Sequence, residues 1–136
     1  MEVKFLLTIA ICDDRPACRL LLKEFIHLYE QEKGLVFHIH QFPSGETLLE
    51  EMAQQHLVFD LVFLDNSMKK LTGLETARQI RASEPLSASA CAIVFVTSAD
   101  DLDPFRQVQP FAVISKPGTQ ERIDAILDKV LNQNPR

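Results

Sequence analysis

Short uninterrupted apolar runs alternate with longer stripes of helical spacing along the whole chain. Runs from Phe5 to Cys12, Leu61 to Leu64 and Ala92 to Val96 are each bounded by acidic, Gly or Ser/Thr residues. Such runs suit strands covered on both faces. Val36 to Phe42 interleaves His38, His40 and Gln41 with apolar residues, and Ala112 to Ser115 is brief, so both are predicted as outer strands. Between the runs, Cys18, Leu21, Leu22, Phe25 and Leu28 recur at helical steps, as do Ile123, Ile126, Leu127, Val130 and Leu131. Leu74, Ala77 and Ile80 mark a third helix after Gly73 that closes near Pro85. Ser44 ahead of Leu48 and Thr119 ahead of Ile123 are predicted N-caps, and Gly34 a stop. Asp103 and Pro104 supply a cap and a first helical position for a short fourth helix ending before Pro110.

Strand followed by helix, five times over, requires parallel pairing with right-handed crossovers and helices on both faces, a doubly wound α/β sheet. Ligands of such sheets bind at the carboxyl ends of the strands, where strand order reverses. With 136 residues the chain holds one core, predicted as a single domain over 1–136 with its packed part at about 5–132.

Composition removes several function classes. A net charge of −5 without a local basic block gives no electrostatic grip on nucleic acid. Cys12, Cys18 and Cys91 form no CxxC pair, which excludes a disulfide framework and a zinc knuckle and fits a reducing cytoplasm. The N-terminal apolar run stops at Asp13 without a small-residue cleavage site and is shorter than the roughly 18 apolar residues of a membrane span. It reads as a buried strand.

Polar residues stand at the strand ends: Asp13 and Asp14 after the first run, Asp65 after the third, Thr97 and Ser98 after the fourth, Lys116 after the fifth. Each alone suits a turn or a cap, and Asp13 could cap the first helix. Jointly they converge on one cleft. Three carboxylates at close quarters repel one another unless a cation intervenes. Hard oxygen ligands favour Mg²⁺, which takes one or two carboxylates together with substrate phosphate oxygens. Adding an ammonium and a hydroxyl makes an arrangement for phosphoryl transfer to a carboxylate, with Asp65 as nucleophile and an acyl phosphate as product.

In the motifs IAICDD, FDLVFLDNSM, GLETARQIR, IVFVTSA and ISKP, in that order and over essentially its full length, the chain resembles the receiver domain of two-component response regulators. IAICDDRPACRLLLKEF, FDLVFLD and TGLETARQIR are most similar to receivers that precede LytTR-type DNA-binding domains. The resemblance implies a flavodoxin-like sheet of order 2-1-3-4-5 and a histidine kinase or phosphotransfer protein as donor. Residue by residue it implies Asp65 as phosphoacceptor, Asp13 and Asp14 as the pair holding Mg²⁺, and Lys116 as the phosphate contact. It makes Thr97 the switch hydroxyl, and it places the Ser67 backbone carbonyl on the metal. Phosphorylation would then bias a face made of the fourth helix, the fifth strand and the last helix toward a partner or a second copy. Such a domain catalyses its own phosphorylation and dephosphorylation rather than acting as a conventional enzyme. Only 20 residues follow Lys116, so the expectation is a stand-alone receiver or an excised portion of a longer regulator.

Three departures from the family pattern stand out. Lys69 and Lys70 follow Met68 where Pro is common, leaving a less rigid loop. Val113 stands where the family carries the rotating aromatic of its switch. Strand alternation sets Phe111 on the face of Val113, as core or as a substitute ring. The stretch from Thr97 to Lys116 is also short, which leaves the fourth helix the least defined element. Two other functions are open: a phosphate-independent interaction module with an altered switch, suggested by Val113 and Lys69, and a haloacid-dehalogenase-like phosphatase. The latter is disfavoured because Asn66 and Ser67 stand where that class places a second Asp. His38 and His40 share a strand face, yet no further ligand completes a metal site at that spacing. Cys12 is expected to pack as a small hydrophobe, and the terminal NQNPR to fray.

Overall fold

The computed structural model describes residues 7–83 and 91–133. Five strands, β1 (Thr8–Cys12), β2 (His38–Phe42), β3 (Leu61–Asp65), β4 (Ala92–Thr97) and β5 (Ala112–Ser115), pair in parallel in the order β2-β1-β3-β4-β5. They are connected by α1 (Pro16–Lys33), α2 (Gly45–Gln55), α3 (Gly73–Ser83) and a 3-10 helix (Asp103–Val108); α4 (Gln120–Gln133) closes the fold. The chain runs from β1 outward to β2 and then returns past β1 to β3, so the order reverses between β1 and β3. A crevice opens there at the carboxyl ends.

Strand alternation divides the interior into two layers. Ile9, Ile11, Leu61, Phe63, Val94, Val96 and Ile114 pack under α1 and α4. Ala10, Cys12, Val62, Leu64, Ile93 and Phe95 pack under α2, α3 and the 3-10 helix. Because the inner strands are covered on both sides, all five residues of β3 are buried, whereas β2 and β5 carry exposed positions at the sheet edges. Each large apolar side chain so buried contributes about 1.5–3 kcal/mol relative to exposure.

The predicted caps at Ser44 and Thr119 and the stop at Gly34 are present. The Thr47 amide donates to Ser44 Oγ (3.1 Å), the Arg122 amide to Thr119 Oγ1 (3.2 Å), and Gly34 is left-handed at φ 67°. Asp13 does not cap α1: Arg15 is the N-cap, and the Asp13 carboxylate instead accepts the Arg15 amide at 2.9 Å in the turn before it. The α1 stripe is also rotated from its predicted face. Leu22, Ile26 and Tyr29 are buried, while Leu21 and Leu28 are 41% and 44% exposed. Tyr29 explains the rotation, since its hydroxyl reaches Asp128 on α4 (2.5 Å) and its ring stacks with Phe37.

The fourth helix is a six-residue 3-10 segment with Leu102, not Asp103, at its N-cap. Pro104 near its start and Pro110 just beyond leave little room for an α-helix. Arg81 of α3 fastens its far end, donating to the carbonyls of Val108 (2.7 Å), Gln109 (3.0 Å) and Cys91 (2.7 Å). Phe111 lies outside β5 and packs on the α1/α4 layer, whereas Val113 packs on the opposite one. Alternation fails for this residue because the chain bends before Ala112, and Phe111 is core rather than a replacement for the ring missing at Val113. Phe5, Pro85 and the last three residues of NQNPR lie outside the described residues.

Candidate functional site

The strand register carries the polar termini into one cleft. Cys12 pairs with Leu64, so Asp13 emerges from β1 beside Asp65, the last residue of β3. Thr97 ends β4 next to Asp65, and its carbonyl accepts the Lys116 amide at 3.0 Å, which sets the lysine at the exit of β5. Lys116 then reaches back over the sheet: its Nζ lies 3.1 Å from Asp65 Oδ1 and 3.3 Å from Asp13 Oδ2. Carboxylate oxygens of Asp13, Asp14 and Asp65 all lie within 4.8 Å of one another. Three anions thus face one cation, and three hard oxygen donors stand where a divalent cation could be held. Apolar residues of α1 and the sheet, among them Leu22, Phe63 and Val96, wall the cleft on one side.

The charges respond as their surroundings dictate. Burial pushes the Asp13 carboxyl above its ordinary value; the Arg15 amide counters this, the Asp65 charge reinforces it, and Lys116 offsets it. Burial draws Lys116 down, but its hydrogen bond to Asp65 and the two carboxylate charges outweigh that and leave it raised. The Cys12 thiol, buried under the same cluster, is pushed up to about 12, first by burial and then by the Asp13 charge. It packs beside Met68, with Sγ 3.7 Å from Sδ, and is no nucleophile at neutral pH.

Of the predicted site residues, the structure brings Asp13, Asp14, Asp65 and Lys116 together. Ser67 is exposed, and its amide donates to Asp65 Oδ1 at 3.2 Å. Thr97 is buried at the rim, where its hydroxyl accepts the Ala99 amide (3.1 Å) within its own loop.

Three supporting residues escaped the sequence reading. Arg19, one turn into α1, donates to the Asp13 carbonyl at 2.6 Å. Asn66 ties the residue after Asp65 to α3: its Oδ1 accepts the Leu74 amide (3.0 Å) and its carbonyl the Gly73 amide (3.3 Å). Gly73 packs on the Asp65 backbone so closely that a Cβ would stand 2.6 Å from the Asp65 carbonyl oxygen. An Asn directly after the acidic strand end, with Gly at the start of the next helix, was the available signal. Gly73→Ala is expected to destabilise the chain by about 1–3 kcal/mol through that backbone clash, despite the better helix propensity of Ala. Chemical denaturation measures it, and an unchanged midpoint would mean the contact relaxes freely.

A doubly wound α/β domain with an acid and lysine cluster at the carboxyl ends of its strands is the class that fold and site define. The response regulator receiver domain family matches residues 9–128, and the chain belongs to that family, whose members act in two-component signalling. Solved structures with the same fold include the response regulatory domain of MrkE from Klebsiella pneumoniae, at 23% identity over 93% of this chain and 96% of that one, TM-score 0.74. A CheY-like receiver domain from Methylobacillus flagellatus is 21% identical over 91% and 98%, TM-score 0.74. The BeF3-activated DrrB receiver domain is 21% identical over 93% and 97%, TM-score 0.71. No curated protein matches the chain. The LytTR-type subfamily resemblance rests on the sequence phrases alone. Among the described residues no helix is long and apolar enough to cross a membrane.

Proposed function

We propose that this receiver domain takes a phosphoryl group from a histidine kinase or phosphotransfer protein onto Asp65 in a Mg²⁺-dependent reaction. The observation that carries the reading is the gathering of Asp13, Asp14 and Asp65 within 4.8 Å, with Lys116 bonded to two of them. Three carboxylates against one ammonium leave an excess of two negative charges, which a divalent cation on hard oxygen donors matches. Asp13, Asp14, Asp65 and the Ser67 carbonyl are the residues that would hold it. When bound, Mg²⁺ supplies neutralisation of the phosphoryl oxygens.

The chain's own groups do the rest. Lys116 and the Ser67 amide both bond Asp65 Oδ1, which fixes the carboxylate plane and leaves Oδ2 as the freer oxygen. A carboxylate oxygen of Asp65 forms the new bond to phosphorus while the phosphorus–nitrogen bond of a phosphohistidine breaks, the electron pair remaining on the imidazole. Lys116 answers charge on the transferred oxygens. Thr97 at the rim can exchange its Ala99 contact for a phosphoryl oxygen, biasing the face built from the 3-10 helix, β5 and α4 toward a partner, a linked effector domain or a second copy. A receiver domain with the same fold, DrrB, has been solved in a BeF3-activated form. Cys12, Cys18 and Cys91 as thiols fit a reducing cytoplasm.

Incubation of the protein with a small acyl phosphate, with and without Mg²⁺, tests the reading by intact mass. The expected result is one phosphoryl adduct that forms with Mg²⁺ and not with a chelator present. Demonstrable Mg²⁺ binding without any adduct would instead favour a phosphate-independent interaction module.

A further inference from the structure

His38 and His40 project from one face of β2, with ring centroids 4.2 Å apart. His40 also packs against Phe42 and Phe59, at centroid distances of 6.4 and 5.5 Å, and among the described residues its buried Nε2 has no hydrogen-bond partner. A neutral imidazole tolerates that setting better than an imidazolium. The cation has two N–H donors to satisfy and would stand beside a second titratable ring. Among the described residues the titratable groups acting on its charge are His38 on its own strand and Glu51 on α2. The neighbouring strand offers only Ala10 in register, and the segment before β3 offers Phe59.

The place of this pair in the sheet gives it a route to the acidic cleft. Among the described residues β2 is an edge strand paired with β1 alone, with His40 opposite Ala10 and Phe42 opposite Cys12. The next bond of the ladder is from the Asp13 amide to the Phe42 carbonyl, at 3.1 Å. Whatever loosens the end of β2 therefore releases the backbone of Asp13, whose partner Phe42 lies two residues of β2 beyond the half-buried His40 imidazole.

We propose that the His38 and His40 pair is a proton-sensing element that regulates the acidic site: charging His40 frays the end of β2, frees the Asp13 amide and weakens divalent-cation binding. The cation-binding half rests on the function proposed above. Burial first, and His38 second, lower His40 below the ordinary imidazole value, with Glu51 opposing. The unfolded chain therefore binds the proton more readily. Stability is complete above the ordinary imidazole pKa and is lost as pH falls through the window down to the folded value.

Amide hydrogen exchange on the full chain, followed by NMR between about pH 7.5 and 5, tests the coupling in wild type, His40→Phe and His40→Gln. The wild-type protection factor at the Asp13 amide is expected to fall about tenfold or more across that range, and to stay level in His40→Phe, whose ring fits the aromatic cluster without titrating. His40→Gln serves the same purpose if the Phe variant does not fold. His38→Gln should move the midpoint of the step upward by removing the neighbouring charge. Equal loss of protection in wild type and both His40 variants would overturn the proposal, because carboxylate titration is common to all of them. Mg²⁺ titrated calorimetrically at the two ends of the range should lose about fivefold more affinity in wild type than in His40→Phe, and equal losses would sever the pair from cation binding. If no protein binds Mg²⁺, the reading of the acidic site fails, and the exchange at Asp13 still decides whether the pair controls it.

Discussion

Asp65→Asn is expected to yield a folded protein that acquires no phosphoryl adduct from an acyl phosphate in Mg²⁺, under conditions where wild type should acquire one. The substitution is nearly isosteric. The Asn carbonyl oxygen can still accept from Lys116 and from the Ser67 amide, the two partners of Asp65 Oδ1, so the local geometry has no reason to collapse. What would disappear is the proposed nucleophile: a neutral amide oxygen cannot open a phosphoryl donor at a useful rate. Stability should hold or rise slightly in the absence of metal, because the Asp65 charge is one of the influences pushing Asp13 up. Intact mass reads the adduct and thermal melting reads the fold. An adduct that survives in Asp65→Asn would move the acceptor to another residue and end the proposed mechanism.

Lys116→Ala should be the most damaging single change that leaves the acceptor in place. Its Nζ is the cation bonded to both Asp13 and Asp65, and its side chain is only 17% exposed. Removing one partner from a buried ionic cluster costs about 3–5 kcal/mol, because the remaining charges keep their desolvation penalty and lose their counter-ion. The pH dependence follows in sign. The folded pKa of Asp13 is already raised, so its ionisation destabilises the fold, from the ordinary carboxylate value upward to the folded one. Without the ammonium that folded value rises further. Metal-free Lys116→Ala should therefore recover part of its lost stability as pH is lowered into the range where Asp13 protonates, and should recover part at neutral pH on adding Mg²⁺. For wild type, the raised folded pKa of Lys116 means that its contribution is complete below the ordinary lysine value and lost as pH climbs through the folded one. Phosphoryl transfer should fall about a hundredfold, the scale of removing one preorganised electrostatic contact to a transition state. Denaturation profiles at several pH values with and without Mg²⁺ check the first claim, and single-turnover adduct formation the second. A Lys116→Ala protein as stable as wild type in chelator would show that solvent already screens the cluster.

Much of this architecture was legible in the linear pattern. The runs ending at Cys12, Leu64 and Val96 could be read as central strands because residues covered on both faces must be apolar without interruption, and the polar residues that break them then mark the ends. Ser44, Thr119 and Gly34 were readable as helix boundaries because capping is settled by a few adjacent residues. The rotation of α1 was not readable. Leu21 and Leu28 suit a buried stripe as well as Ile26 and Tyr29 do, and the choice was made by the Tyr29 hydroxyl meeting Asp128 on a helix 99 residues away. Nor could spacing show that Phe111 leaves the strand before its side alternates, or that Arg81 anchors a 3-10 segment in place of a fourth α-helix.

The same division runs through the cleft. Which chemical groups stand at the strand ends is written in the chain, since strand and turn identity depend on neighbours a few positions apart. That Lys116 bonds both Asp13 and Asp65, that Asn66 and Gly73 brace the peptide after the central carboxylate, and that the Asp13 amide hangs from the end of β2 were decided only by the tertiary structure. Contacts of ionic and hydrogen-bond length fall off within an ångström or two, and between residues far apart in sequence that distance is set by register, twist and packing rather than by composition.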